Sequence, residues 1–251
     1  MGFRSVPCRN CTPCPADVKN LRILFLPGLG GDQRMFQPLG DALAAQGAPA
    51  SPVGPVYPPL LPEEQRLSEY AARLFQAQRF DRSTFDMAIG VSFGGLLLQE
   101  WIAANKVRCR VLGLASTAWS GAGLTRIAST GASLVAAMPP RFCRPALDLL
   151  AAIYPIARPR LARRHVYAAM ARDADASLFF GAGRLVKRWP GQPGLLHQEG
   201  TIIQMHGTAD PLFDFAYTRL YRTPEIVIAG GDHLVFARHA DLLARRLLLA
   251  L

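Results

Sequence analysis

The chain has 251 residues, of which 50% are hydrophobic, and a formal net charge of +10 at neutral pH. This length and apolar fraction allow one large domain with a sizeable core. No stretch approaches 18 apolar residues without a charge or a proline, which argues against a membrane-spanning helix, and residues 1–10 lack the apolar segment of a secretory signal. We therefore expect a cytoplasmic protein with no integral membrane segment.

The first 19 residues contain three of the five cysteines. Cys8, Cys11 and Cys14 have the spacing C-x2-C-x2-C, which is part of an iron–sulfur ligand pattern. Val18 stands where a fourth ligand is expected, and no second C-x2-C pair is present to complete a zinc site. We interpret residues 1–19 as a flexible N-terminal leader. A metal-binding or redox role for these cysteines stays open, although we expect no cofactor and no metal.

From residue 20 onward, apolar runs typical of buried strands alternate with segments of helical periodicity. The predicted elements, in chain order, are a strand at 21–26, a helix at 35–46, a short strand near 51–57, a helix at 63–79, a strand at 85–91, a helix at 94–106, a strand at 110–117, several helices within 119–194, a strand at 201–207, a short helix near 214–221, a strand at 225–230 and a final helix from about 235. This alternation predicts an α/β fold in which helices cover both faces of a mostly parallel sheet.

The segment 119–194 has no strand pattern, so we expect a helical cap insert there and a core formed by residues 20–118 and 195–251. Between residues 118 and 198, ten Arg and one Lys outnumber three Asp, which gives a local net charge of +8. The sequence is compatible with two causes of this charge. One is a compositional bias of the genome, and the other is an anionic partner such as an acidic carrier protein, a phosphorylated thioester or a membrane surface. We expect no nucleic acid among the partners.

One serine lies where a predicted strand passes directly into a predicted helix. Ser92 is the centre of Gly90-Val91-Ser92-Phe93-Gly94. Such a turn strains the backbone at the serine, and the small residues Gly90 and Gly94 leave room for it. The first N–H groups of the helix then point at whatever lies beside the serine. The pattern predicts a nucleophile at Ser92.

In this strand–serine–helix arrangement the chain resembles the α/β-hydrolase superfamily, in which a nucleophile, an acid and a histidine follow one another in the sequence. The resemblance covers about residues 20–251 and is weakest across 119–194. It implies the α/β-hydrolase fold with a cap inserted into it. The layout is similar to that of small bacterial members, which include carboxylesterases and the methyl ester hydrolase that acts on pimeloyl carrier protein.

The resemblance also implies which residues complete the site. His233 follows a strand and a Gly-Gly turn, where the superfamily has its catalytic histidine. Asp210, in HGTADPLF, fits the position of the acid, with Asp214 as the fallback, whereas Asp232 is expected to point elsewhere. His206 is expected to brace a loop.

Two backbone N–H groups are expected to form an oxyanion hole, those of Phe93 and Leu29. Phe93 follows the nucleophile, and Leu29 lies in the glycine loop FLPGLGGD. Most relatives begin this loop with His-Gly, whereas this chain has Pro27 and Gly28, and proline has no polar side chain to brace the loop. The loop lacks the spacing of phosphate- and dinucleotide-binding motifs. Asp32 is expected to cap a helix.

These residues predict a serine hydrolase that cleaves a small-molecule carboxylic ester through an acyl-enzyme on Ser92. Two alternatives stay open: a thioesterase or acyl-ester hydrolase acting on a CoA thioester or on an acyl carrier protein docked at Arg160, Arg163 and Arg164, and a non-catalytic binding protein on a hydrolase fold. Seven apolar residues of the insert are candidates for an acyl pocket, although ordinary helix packing accounts for them equally well. They are Leu124, Ile127, Val135, Met138, Leu150, Ile153 and Tyr154.

Overall fold

The computed structural model describes residues 20–78, 84–158, 161–197 and 200–251. At its centre is a six-stranded sheet in the order β2-β1-β3-β4-β5-β6, in which every neighbouring pair of strands is parallel. The strands are β1 Leu21–Leu26, β2 Ala50–Val53, β3 Thr84–Val91, β4 Arg108–Ala115, β5 Thr201–Gly207 and β6 Ile226–Ile228. The predicted parallel sheet is confirmed. The interpretation of the leader and its cysteines, and the proposed contact at Arg160, lie outside the described residues.

Helices cover both faces of the sheet. They are α1 Gln37–Ala45, α2 Leu67–Ala77, α3 Phe93–Ala103, α4 Arg126–Ala136, α5 Pro140–Ala157, α6 Arg164–Asp173, α7 Ala176–Lys187, α8 Phe215–Tyr221, α9 Val235–Arg238 and α10 Ala240–Leu249, with short 3-10 helices at Gln33–Phe36, Gly121–Gly123 and Pro193–His197. Because side chains alternate along a strand, β1 directs Leu24 and Leu26 to α2 and α3, and Ile23 and Phe25 to α1 and α10. The two halves of the core therefore lie on opposite faces of one sheet.

The prediction that a helix begins at Glu63 is wrong, because α2 begins at Leu67. The Glu64 carboxylate is buried, where it accepts hydrogen bonds from the Leu61 N–H and from the guanidinium of Arg73. Residues 63–66 therefore lie before the helix, and Glu69 accepts from the N–H of Arg66 at the start of the helix. Asp32 caps a 3-10 turn, as predicted.

Between β4 and β5 the chain forms the four helices α4 to α7, and no strand is present in the described part of this segment. Helix α5 packs against α6 and α7, and α4 packs against α7. The boundaries 119–194 for a cap stay a prediction. No helix within the described ranges is both long enough and apolar enough to cross a membrane.

Candidate active site

Ser92 lies between β3 and α3, at the edge of the sheet where the parallel strands end. Its backbone has φ of 52° and ψ of −121°, a conformation that residues with a side chain rarely adopt. The Ser92 N–H donates to the Ala115 carbonyl at 2.9 Å, and the Thr117 hydroxyl donates to the Ser92 carbonyl at 2.9 Å. The strained turn is therefore held from the end of the neighbouring strand β4.

Two glycines allow the backbone around Ser92 to pack as closely as it does. A Cβ atom added to Gly90 would lie 2.5 Å from the Cα of Gly95. A Cβ atom added to Gly94 would overlap the carbonyl oxygens of Leu26 and Pro27. Helix α3 thus contacts the end of β1 backbone to backbone, which brings the start of the helix to the glycine loop.

We predict that Gly94→Ala lowers the free energy of unfolding by about 3 kcal/mol, because the rigid backbone at the end of β1 has to move. Gly131→Ala in α4 is the matched control, since a Cβ atom there meets nothing within 4 Å. Alanine favours the helix over glycine, so this control should gain about 0.5–1 kcal/mol. Urea unfolding followed by circular dichroism measures both variants. Equal effects in the two variants would contradict the prediction.

The structure brings Ser92, His233 and Asp210 together in one line of hydrogen bonds. Asp210 follows β5 and His233 follows β6, so both lie at the same sheet edge as Ser92. The distance from His233 Nε2 to Ser92 Oγ is 2.8 Å, and His233 Nδ1 lies 2.8 Å from Asp210 Oδ2 and 3.0 Å from Oδ1. All three distances are those of good hydrogen bonds.

The surroundings of Asp210 fix the tautomer of this histidine. Burial alone raises the pKa of the Asp210 carboxyl, but the hydrogen bond from His233 and those from the N–H groups of Leu212 and Phe213 outweigh burial and hold that pKa below its ordinary value. An ionised carboxylate only accepts hydrogen bonds. His233 Nδ1 therefore carries a proton, and in the neutral form of the ring Nε2 is left to accept from the Ser92 hydroxyl.

The other titratable candidates lie outside this line. Asp214 caps α8 by accepting from N–H groups of its first turn, and Asp232 forms an ion pair with Arg158 at 3.0 Å. His206 is buried, and its Nε2 lies 3.2 Å from the Phe213 carbonyl, so it braces the loop that carries Asp210. Burial also lowers the pKa of His206. The fallback acid Asp214 does not contact His233.

The glycine loop forms a tight turn beside Ser92. The Gly31 N–H donates to the Gly28 carbonyl at 2.9 Å, and Gly30 at the third position has φ of 76°, which a type II turn requires. A Cβ atom on Gly28 would lie 3.4 Å from the Cβ of Ser92. The N–H groups of Leu29 and Phe93 donate no hydrogen bond to any residue that the structure describes. Both are therefore available to a ligand.

Tyr57 is a contact of this loop that the sequence did not indicate. Its hydroxyl donates to the carbonyl of Pro27 at 2.7 Å, and its ring meets the ring of Phe93 edge to face with centroids 5.9 Å apart. The loop that lacks a polar side chain at Pro27 is thus held by a polar side chain from elsewhere. The only sequence signal was a tyrosine within a proline-rich segment, which identifies no partner.

A cavity of about 370 Å³ opens beside Ser92 and His233. Its apolar wall comes mainly from α5, α6 and α7, through Leu147, Leu150, Ile153, Tyr154, Met170 and Phe179. Among the lining residues that the structure describes, none is an Asp, Glu, Lys or Arg. The cavity therefore suits an uncharged group.

Only some of the predicted pocket residues line this cavity. Leu150, Ile153 and Tyr154 do, whereas Val135 and Met138 line a separate cleft between α4, α5 and α7. Ile127 is 81% exposed, and Leu124 packs against the core. Within the described part of the chain, no group of three or more His, Cys, Asp or Glu side chains could hold a metal ion.

Solved structures with a similar fold include a bromoperoxidase from Bacillus anthracis, with a TM-score of 0.67, 17% identity and 92% of each chain covered. An esterase from Rhodococcus sp. ECU1013 has a TM-score of 0.61 at 17% identity over 93% of this chain and 90% of that one. A third similar structure comes from a study of carboxylesterases of Nitrososphaera gargenis. It has a TM-score of 0.68 at 13% identity, over 93% of this chain and 92% of that one. Identities this low establish the fold alone.

No curated protein matches the chain in sequence. The sequence model described as the alpha/beta hydrolase family, in contrast, matches residues 23–246, which is most of the chain. This match agrees with the parallel sheet and with the turn at Ser92. The chain belongs to the alpha/beta hydrolase family.

Proposed function

We propose that the protein is a serine hydrolase that cleaves carboxylic esters through an acyl-enzyme on Ser92. The observation that carries this proposal is the continuous line of hydrogen bonds from Asp210 through His233 to Ser92, which ends beside an apolar cavity. A serine hydroxyl is a weak nucleophile by itself, and an imidazole nitrogen at 2.8 Å lies where the base that it needs has to be.

The reaction would proceed in two halves. The Ser92 oxygen attacks the ester carbonyl while His233 Nε2 takes its proton, and the resulting oxyanion accepts hydrogen bonds from the N–H groups of Leu29 and Phe93. His233 then gives that proton to the departing alkoxide, which leaves as the alcohol. In the second half a water molecule gives a proton to His233 and attacks the acyl-enzyme, and the acid is released as Ser92 regains its proton. Asp210 holds the imidazole and stabilises its cationic form.

The apolar lining of the cavity supports a substrate whose acyl group is uncharged and apolar. Its volume of about 370 Å³ is at the small end of small-molecule sites, which span about 300–1,000 Å³. A charged acyl terminus would lose its hydration there without gaining a partner of opposite charge. We therefore favour esters of short to medium apolar acids.

The carrier-protein alternative depends on free positive charge on the helices between β4 and β5. Within the described residues, Arg144, Arg158 and Arg163 each form an ion pair with an aspartate. These pairs reduce the charge available to an acidic partner, so we rank this alternative second. Reversal of charge at Arg163 and Arg164 tests it, since turnover of an acyl carrier protein should fall while that of a p-nitrophenyl ester should not.

The proposed function is tested with a fluorophosphonate probe and a panel of p-nitrophenyl esters from acetyl to dodecanoyl. We expect stoichiometric labelling of Ser92, mapped by peptide mass spectrometry, and hydrolysis of the short and medium esters. A folded protein that neither reacts with the probe nor hydrolyses any ester would leave the non-catalytic binding protein as the better description.

We predict that Ile153→Trp changes the acyl preference, because the larger side chain fills part of the cavity. The ratio of kcat/KM for the octanoyl ester to that for the acetyl ester should fall about tenfold. Val135→Trp is the matched control, since Val135 is an apolar residue of a neighbouring helix that lines a different cleft. The ratio should stay unchanged in that control. If the ratio fell equally in both variants, the acyl group would not bind in the cavity that Ile153 lines.

A further inference from the structure

We propose that Tyr57 is a positioning residue that fixes the glycine loop relative to Phe93 and so sets the distance between the two N–H donors of the oxyanion hole. The inference rests on the proposed function, because it assigns a role within the same reaction. Neither the sequence pattern nor the family match assigns any role to this residue.

The first contact that carries the inference is the hydrogen bond from Tyr57 to the loop. The Tyr57 hydroxyl donates to the Pro27 carbonyl at 2.7 Å, and this carbonyl lies just before the turn that contains Leu29. Burial raises the pKa of Tyr57 well above its ordinary value, which favours the protonated hydroxyl that donates this bond.

The second contact joins the same side chain to the other donor. The Tyr57 ring packs edge to face on the ring of Phe93, at a centroid distance of 5.9 Å and an interplanar angle of 88°. The Tyr57 side chain thus contacts Phe93, which would supply one oxyanion donor, and the glycine loop that contains Leu29, which would supply the other. Pro55 and Pro58 flank Tyr57 and restrict the backbone that carries it. Tyr57 therefore makes both contacts from a segment whose backbone is restricted.

The loop needs such an external anchor because of its own composition. Gly28, Gly30 and Gly31 give its backbone wide conformational freedom when no contact holds it, and Pro27 has no polar side chain that could form a hydrogen bond to hold the loop. A hydrogen-bond donor has to lie within a few tenths of an ångström of its best position to stabilise a developing oxyanion fully. Loss of the Tyr57 hydroxyl should therefore weaken transition-state binding while the ground-state pocket stays the same.

Tyr70 provides a closely matched control. Its hydroxyl also donates to a proline carbonyl, that of Pro58 at 3.0 Å, and its ring also packs on Phe93, at 6.1 Å. Pro58 lies outside the glycine loop. Tyr70→Phe therefore removes the same kind of hydrogen bond, beside the same phenylalanine, without releasing the loop.

The experiment compares Tyr57→Phe with Tyr70→Phe in the full chain. We expect Tyr57→Phe to lower kcat about tenfold with KM within about twofold of wild type, and to slow fluorophosphonate labelling of Ser92 by a similar factor. Tyr70→Phe should keep both rates within about twofold of wild type. The Tm of each variant is measured, so that a loss of folded protein is seen separately from a loss of rate.

The outcomes separate this inference from the proposed function. A wild-type protein that is not labelled and hydrolyses no ester would overturn both. A labelled, active wild type together with a Tyr57→Phe variant whose kcat stays within about twofold of wild type would overturn only the role of Tyr57. A rise in KM at unchanged kcat in Tyr57→Phe would also overturn it, because that result would mean a role in ground-state binding.

Discussion

Replacement of Ser92 by alanine should abolish ester hydrolysis and fluorophosphonate labelling while the protein stays folded. Without Oγ no acyl-enzyme can form, and the expected loss in kcat is about 10⁶-fold. The fold should tolerate the change because alanine keeps the Cβ atom, so the backbone strain at φ of 52° is unaltered. Among the described residues, the only side-chain hydrogen bond that disappears is the one to His233. Steady-state rates and circular dichroism of the purified variant measure both expectations.

The chain contains a matched control for this experiment in Ser116. Ser116 follows β4 as Ser92 follows β3, and its φ of 47° is also positive. Its hydroxyl is buried and has no hydrogen-bond partner within the described ranges. Ser116→Ala should therefore leave kcat/KM within about twofold of wild type. Residual turnover by the Ser92 variant at the wild-type rate would contradict the acyl-enzyme mechanism.

Asp210→Asn is expected to lower kcat by about 10⁴-fold with little change in Tm. The Oδ1 atom of Asp210 accepts from the N–H groups of Leu212 and Phe213, and an asparagine oxygen can keep both bonds. The amide NH₂ is then directed at His233 Nδ1, where the carboxylate Oδ2 lies in the wild type. Nδ1 has to become an acceptor, which moves the proton to Nε2 and removes the base from Ser92.

Asp214→Asn is the control for the acid, because Asp214 was the alternative candidate from the sequence. It accepts from N–H groups at the start of α8, and asparagine caps a helix about as well as aspartate does. We expect its kcat to stay within about twofold of wild type. A large loss in Asp214→Asn combined with a small one in Asp210→Asn would exchange the roles of the two carboxylates.

Local patterns in the sequence were sufficient to predict the buried strands and to single out Ser92 as a candidate nucleophile. LRILFL and TIIQMHG are short apolar runs next to glycine or proline, which is typical of buried strands, and the structure has strands at both places. Ser92 could be identified because the strand, the glycines and the helix around it are all local. Asp210 and His233 became candidates through the resemblance to the superfamily, and each follows a predicted strand.

The features that escaped prediction depend on contacts between distant segments. Helix α2 begins late because Glu64 binds Arg73, a contact that no helix-start signal indicates. Val135 and Ile153 are alike in type and context, yet only Ile153 reaches the cavity, since the way α4 to α7 pack decides which apolar face is next to Ser92. Tyr57 and Pro27 are joined across the gap between β1 and the segment after β2, and neither residue type indicates the other.

The pairing of α1 with α10 on one face of the sheet has a consequence for the order in which the chain folds. Leu39 and Leu43 from the first helix share a buried cluster with Leu243 and Leu247 from the last. During synthesis α1 emerges long before its partner, so the part of this face that α10 covers stays exposed until α10 has left the ribosome. We therefore expect a ribosome-bound chain that ends before α10 to expose this apolar surface and to bind chaperones.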